Sequence, residues 1–306
     1  MHHFITRAHL VVGIFIIGTA FTGPSAHSQA AGPSLKSAWK AEVAADSRRI
    51  AVADMTGDMK PNLLLLGKEG ALTIFSISGA TPEKIGTSDL GKGAVQFVAG
   101  KFAKGKPGVI SVPGALLYKE GDKFVRKEVG DLGDITGVSR FTDGSEGFFF
   151  FEGMGPPASY VVDLGASKPI VAGPEMRSPD MGEGFYDSVV AHLKSEVLDQ
   201  FGLPEEARKA GVIGFFATKS GGKLYACIPW LAMGESYLQM AEMASLFGGG
   251  GNIQTVWKSP KLAGKLLDFT IGADPKTGKG AGIYVLTESG AEGKGRQVEY
   301  FAVDKP

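Results

Sequence analysis

Short apolar runs alternate along the chain with polar, glycine-rich stretches, and one unit of this kind recurs five times. Each unit opens on a short apolar strand and passes through a loop rich in Gly, Lys, Thr and Asp. It then enters a second, more apolar strand, with a third and sometimes a fourth to follow. The first copy comprises residues 50–62, 63–66 and 71–77; the second comprises 95–98, a loop at 101–108, 109–112 and 115–118. The third takes in 137–141, a turn at Asp143-Gly144, 148–151 and 159–162. The fourth covers 212–217, 219–222 and 224–228, and the last 266–271, 274–282, 283–286 and 297–303. Self-similarity at this spacing means that one small structural unit is stacked repeatedly, because a single unit cannot bury its own apolar face.

A second regularity supports the same parsing. The segments 39–43, 124–129 and 255–258 precede the first, third and last copies, each mixing large apolar residues with Lys. Each reads as the outer strand of one unit leading into the inner strand of the next. Short strands with turn chemistry between them suit blades of four antiparallel strands. The expected fold is therefore all-β, a β-propeller of about five four-stranded blades forming one domain over residues 31–306. The segment 39–43 has no preceding unit, so it is expected to complete the last blade and close the ring, which removes an exposed sheet edge. An open β-solenoid or a pair of sandwiches would also accommodate the strands.

Two stretches break the repeat and predict helical insertions at about 186–211 and 230–251. In the first, Val189, Val190, Leu193, Val197, Leu198 and Phe201 fall on one helical face. Pro204-Glu-Glu then opens a second short helix, which Gly211 ends. In the second, Trp230 leads into a stripe formed by Met233, Tyr237, Met240, Ala244 and Phe247, with Gly248 to terminate it. Such helices either pack on the propeller surface or offer a partner surface, for which adaptable Met side chains are suited. Trp230, Met233, Tyr237, Met240 and Phe247 are the candidate binding residues.

The first copy resembles a known family. Val52-Ala-Asp54-Met-Thr-Gly57-Asp58-Met-Lys-Pro61-Asn62, followed by Leu63 to Leu66 and Gly67, is similar to the FG-GAP/VCBS repeat of integrin-α-like propellers and of many secreted bacterial proteins. The resemblance implies a propeller whose blades can each hold calcium in an Asp-rich loop between strands. Calcium needs several oxygen ligands on one tight loop. Asp54, Thr56, Asp58 and Asn62 occupy the matching positions, with the Lys60 carbonyl as a further donor. With two formal negative charges the loop would bind calcium weakly. The same side chains also suit a metal-free turn in which Asp and Asn accept backbone amide hydrogens. The loops 101–108 and 219–223 carry lysines instead of acids.

The first thirty residues differ in kind. Arg7 stands in a short polar start, residues 10–22 are strongly apolar, and Ser28-Gln29-Ala30 supplies small residues for a peptidase. This is the pattern of a secretory signal, with an apolar run too short to span a bilayer. The expected protein is secreted or periplasmic, with no membrane span in the mature chain. Over 306 residues, 32 Lys and Arg balance 32 Asp and Glu, which argues against a dedicated nucleic-acid partner, whose binding needs clustered positive charge. Cys227 is the single cysteine, so packing alone must stabilise the fold, and its apolar setting predicts an inert thiol.

Catalytic patterns are missing: there is no Gly-x-Ser-x-Gly elbow, no His-Glu-x-x-His and no phosphate-cradling glycine loop between a strand and a helix. Four of five histidines lie in the signal, leaving His192, which reads as a packing or surface residue. The expected function is a non-enzymatic binding or scaffolding propeller that recognises a protein or a carbohydrate. The alternative is a carbohydrate-active hydrolase or lyase with carboxylates at the central channel, for which Asp180, Glu183 and Asp187 are the acids to examine.

Overall fold

The computed structural model describes residues 35–102, 106–112, 114–121, 123–128, 135–140, 148–152, 158–163, 170–172, 188–193, 205–217, 224–242, 255–278, 282–290 and 295–303. Within them 20 of the 21 strands fall into five runs of four. The first blade is β2 (Arg49–Ala53), β3 (Asn62–Leu66), β4 (Ala71–Ser76) and β5 (Glu83–Asp89), hydrogen-bonded in that order. The second is β6 (Gln96–Phe102), β7 (Lys106–Val112), β8 (Ala115–Glu120) and β9 (Lys123–Glu128). The third is β10 (Ile135–Arg140), β11 (Phe148–Glu152), β12 (Ala158–Asp163) and β13 (Ile170–Ala172). The fourth is β15 (Val212–Ala217), β16 (Leu224–Ala232), β17 (Glu235–Glu242) and β18 (Thr255–Lys258). The last is β19 (Leu266–Gly272), β20 (Gly282–Ser289) and β21 (Gly295–Val303), and its fourth strand is β1 (Leu35–Val43).

Burial within the first blade explains the strand sequences. The five residues of β3 are all buried, whereas β5, with sequence EKIGTSD, has no buried residue. A strand near the axis is covered on both faces and reads as a continuous apolar run; an outer strand faces water and reads as polar. The two faces of the blade go to different neighbours. Ile50, Val52, Leu63 and Leu65 pack with Tyr284, Leu286, Val298 and Tyr300 of the last blade. Ala51, Ala53, Leu64 and Leu66 pack with Phe97, Ala99, Val109 and Leu117 of the second. The last blade repeats the pattern, sending Phe269, Ile271, Ile283 and Val285 toward Tyr225, Cys227, Leu238 and Met240 of the fourth. Fully burying each such side chain contributes about 1.5–3 kcal/mol. The innermost strands β2, β6, β10, β15 and β19 follow one another around an axis, with one further strand, residues 188–193, between β10 and β15 and with β19 back against β2. The chain is a β-propeller.

Closure takes the expected route. β1 pairs antiparallel with β21, placing Trp39 opposite Tyr300 and Val43 opposite Arg296. Trp39 meets Tyr284 edge-on with ring centroids 6.5 Å apart, and Lys40 pairs with Glu299 at 3.0 Å.

The helical insertions need correction. β14 (Ser188–Leu193) occupies the start of the first one as a strand between β10 and β15, with Val138 opposite His192 and His192 opposite Val212. It joins the third and fourth blades into one nine-stranded sheet. A short apolar run containing two β-branched residues fits a strand as well as a helical face, and periodicity alone does not separate the two. The second short helix is present as α1 (Glu205–Ala210), and Gly211 ends it at φ +70°. The second insertion is not helical through Glu242. Residues 230–242 complete the β16–β17 hairpin, in which Trp230 lies opposite Tyr237 and Ala232 opposite Glu235. Its two-residue turn, Met233-Gly234, has φ of 52° and 78°. Positive φ at both central positions is a turn that matches strand twist, and its usual signal is Asn-Gly; Met at the first position disguised it. The signal segment 1–30, Asp143-Gly144, Asp180, Glu183, Asp187, the loop 219–222 and residues 243–251 with Phe247 lie outside the described residues.

Candidate functional site

The up-and-down order of each blade gives the ring two unlike faces. The innermost strands begin on one face, which therefore also carries the connections between blades and the Met233-Gly234 turn. Loops such as 54–61, between the first and second strands of a blade, lie on the other.

A groove of about 760 Å³ opens on the first face, at the mouth of the ring. Among the described residues, Arg48, Arg49, Lys209, Lys261, Lys265 and a single acid, Glu235, line it, and Lys209 is itself paired with Glu205. Its apolar lining comes from Val95, Pro229, Trp230, Leu231, Leu266 and Leu267. Each element has a local reason to be there. Arg48 and Arg49 start β2, Lys265 precedes β19, and Lys209 is in the last turn of α1, where a cation suits the helix dipole. The arginines are held by backbone carbonyls of neighbouring blades. Arg48 donates to Ala94 O at 2.7 Å, and Arg49 donates through Nε to Val95 O at 3.2 Å and through Nη1 to Leu267 O at 3.5 Å. Arg296 fixes the same loop by donating to Ser47 O at 3.1 Å.

Glu235 is the one carboxylate among the described residues lining this groove, and it is engaged. Lys261 Nζ and Tyr237 OH both donate to it at 2.6 Å. The Lys261 hydrogen bond, followed by that of Tyr237, holds the Glu235 carboxyl below its ordinary value. In return the Glu235 bond raises both Lys261 and Tyr237. Lys258 lies 3.6 Å from the centre of the Tyr237 ring. Lys265 makes no ion pair among the described residues.

The candidate binding stripe divides accordingly. Trp230 lines the groove, Tyr237 stands at its rim, and Met233 is fully exposed at the hairpin turn. Met240 faces the opposite way, fully buried in the core between the fourth and last blades. Sequence reasoning missed the basic residues of the mouth. They come from positions as far apart as 48 and 265, and only ring closure brings them together.

The candidate calcium loop lies on the opposite face. Asp54 accepts from Gly57 N at 2.6 Å and Met59 N at 3.0 Å, one bond to each oxygen. Asp58 Oδ1 accepts from the Thr56 hydroxyl at 2.8 Å and Lys60 N at 3.1 Å, and buried Asn62 accepts from Met55 N at 2.8 Å. The Thr56 hydrogen bond is the largest influence lowering the Asp58 carboxyl. Lys119 of the second blade donates to Thr56 O at 3.4 Å. As arranged, these oxygens are engaged by the loop's own amides and the Thr56 hydroxyl, which makes the loop complete as a metal-free turn. The last blade has a similar turn, where Asp274 Oδ1 accepts from Lys276 N, Thr277 N and Thr277 Oγ1. No group of three or more His, Cys, Asp or Glu side chains gathers among the described residues. Cys227 is fully buried, and burial pushes its thiol well up, as its apolar surroundings predict.

No protein-family model and no curated protein matches the chain. Among solved structures it is similar to Saccharomyces cerevisiae Sqt1, at 11% identity and a TM-score of 0.42 over 89% of this chain and 100% of that one. BBS1N in complex with ARL6DN follows at 9% identity and 0.38, over 89% and 97%. The WD40 domain of SCAP from fission yeast gives 11% and 0.25, over 80% and 70%. At these scores the architecture rests on the strand order and blade packing of the chain itself. No helix among the described residues is long and apolar enough to cross a membrane.

Proposed function

We propose that this protein is a non-enzymatic binding propeller of the secreted or periplasmic type that recognises a protein partner at the mouth of the ring. One observation carries the reading: among its described lining residues the mouth groove presents five cations and an apolar surface, with one carboxylate that is tied to Lys261 and Tyr237. Glycoside chemistry requires two carboxyl groups flanking the scissile bond, and the described lining supplies only Glu235. Recognition sites on rigid scaffolds are usually placed on their connecting segments, which matches a groove built from blade connections. Export is supported by the sequence of residues 1–30. Kinship with FG-GAP/VCBS propellers is supported by the stretch 52–67, which forms the first hairpin of the first blade. The reading uses no metal ion.

The test is a photo-crosslinking residue placed at Val95, which is 49% exposed at the mouth, in the full chain expressed in bacterial cells. A cleaved protein outside the cytoplasm and a discrete protein adduct are expected. The same residue at Ile85, exposed on β5 away from the groove, should give none. Release of sugar products from a polysaccharide panel by the purified mature protein would instead establish the enzyme.

A further inference from the structure

Formal charge is balanced over the whole chain, 32 cations against 32 anions, so the five-to-one ratio among the described lining residues is local. Exposed apolar side chains concentrate at the same place. Five large hydrophobic residues are exposed among the described ones, and three of them belong to this mouth or its hairpin: Val95, Leu231 at 42%, and Met233. A bare phosphate or sulfate would use the cations and leave the apolar lining unmatched. A nucleic acid would use a longer basic track and several aromatic platforms, and Trp230 is the one aromatic side chain among the described lining residues. Carboxylates interleaved with apolar side chains match both features together.

We infer that the groove takes an acidic, partly apolar peptide segment of the protein partner. Its carboxylates meet Lys265 and compete with Glu205 for Lys209 and with Glu235 for Lys261, and its apolar side chains lie on Trp230, Leu231 and Val95. The inference rests on the binding-propeller reading and specifies its ligand. The backbone-held Arg48 and Arg49 give the site a fixed positive floor, so little side-chain entropy is lost there when an anion arrives. Lys265, which makes no ion pair among the described residues, steers the approach, and its effect weakens with salt. The volume of about 760 Å³ lies within the usual range of a ligand site, about 300–1,000 Å³.

The experiment measures fluorescence anisotropy of the mature protein with a labelled peptide in which glutamate alternates with leucine and phenylalanine. Saturable binding is expected, weakened by salt and absent for the matching lysine peptide. Lys265→Glu should weaken it about tenfold, in line with the loss of a close charge pair, and Trp230→Ala by a similar factor. Leu231→Ser serves if the tryptophan variant does not fold. Equal binding by Lys265→Glu, equal binding of the lysine peptide, or tighter binding of oligothymidylate would overturn the inference. Failure here with the Val95 adduct intact leaves a binding propeller with a different ligand. Failure of both removes the binding reading as well.

Discussion

The carboxylate of Asp268 accepts the backbone amide hydrogen of Ile50 at 2.9 Å, and both residues are fully buried. Asp268 lies on the innermost strand of the last blade and Ile50 on that of the first, 218 positions away. This bond joins the two ends of the ring beside the axis, while β1 joins them at the periphery. The second carboxylate oxygen accepts the Phe269 amide at 2.9 Å. Asp268→Ala removes both acceptors and leaves buried amides unpaired, at an expected loss of about 1–3 kcal/mol. Asp268→Asn keeps one carbonyl acceptor and should lose less. Urea unfolding midpoints at a constant m-value measure the difference; equal stability of the alanine variant would show that the amides find other partners.

Met240 and Met233 separate the hairpin from a helical stripe. Met240→Ala is expected to cost about 2–5 kcal/mol, since it opens a cavity between two blades. Met233→Ala, at an exposed turn, should stay within about 0.5 kcal/mol. Met233→Asn should stabilise the protein slightly, because Asn tolerates the positive φ of this turn better than Met does. Thermal melts of the three variants test the set, and similar losses for Met233 and Met240 would contradict the hairpin.

The Asp54 loop predicts a response to calcium. With Asp54 and Asn62 bonded to amides, millimolar calcium should leave the melting temperature unchanged. A rise that Asp58→Asn abolishes would mean that the loop reorganises around the ion.

Acid should act on the mouth through Glu235. Its folded carboxyl titrates below the ordinary value because Lys261, and then Tyr237, bonds to the charged form. A depressed carboxyl contributes stability that is present above the unfolded value of 4.5 and lost as pH falls through the lower folded value. The stability gap between the protein and Glu235→Gln should therefore be largest at neutral pH and close in that acid window. A gap that widens with acid would reverse the assignment.

Much of the ring was legible because buried inner strands and polar outer strands leave different composition in the sequence. Leu63 to Leu66 announce a strand covered on both faces, and the mixed segment 39–43 announces an outer strand lacking a blade of its own. The errors arose where local patterns are ambiguous. Val189, Val190 and Leu193 satisfy a helix and a strand alike, and Met233 hid a turn that Asn would have declared. The mouth was illegible for a different reason. Arg48, Lys209 and Lys265 have no shared motif; each merely precedes an inner strand, and only the order of the blades makes them neighbours.

Ring closure by the first strand is the claim on which the mouth depends, and a disulfide tests it most directly. Lys40 and Glu299 are register partners on β1 and β21, so cysteines at both positions fall within the separation a disulfide spans. Cys227, fully buried, should stay out of the exchange. Under mild oxidation Lys40→Cys with Glu299→Cys should form an intramolecular bridge in nearly every molecule and raise the melting temperature. The offset pair Lys40→Cys with Gln297→Cys should not. Unbridged monomers, or bridges only between chains, would contradict a ring closed by its own first strand.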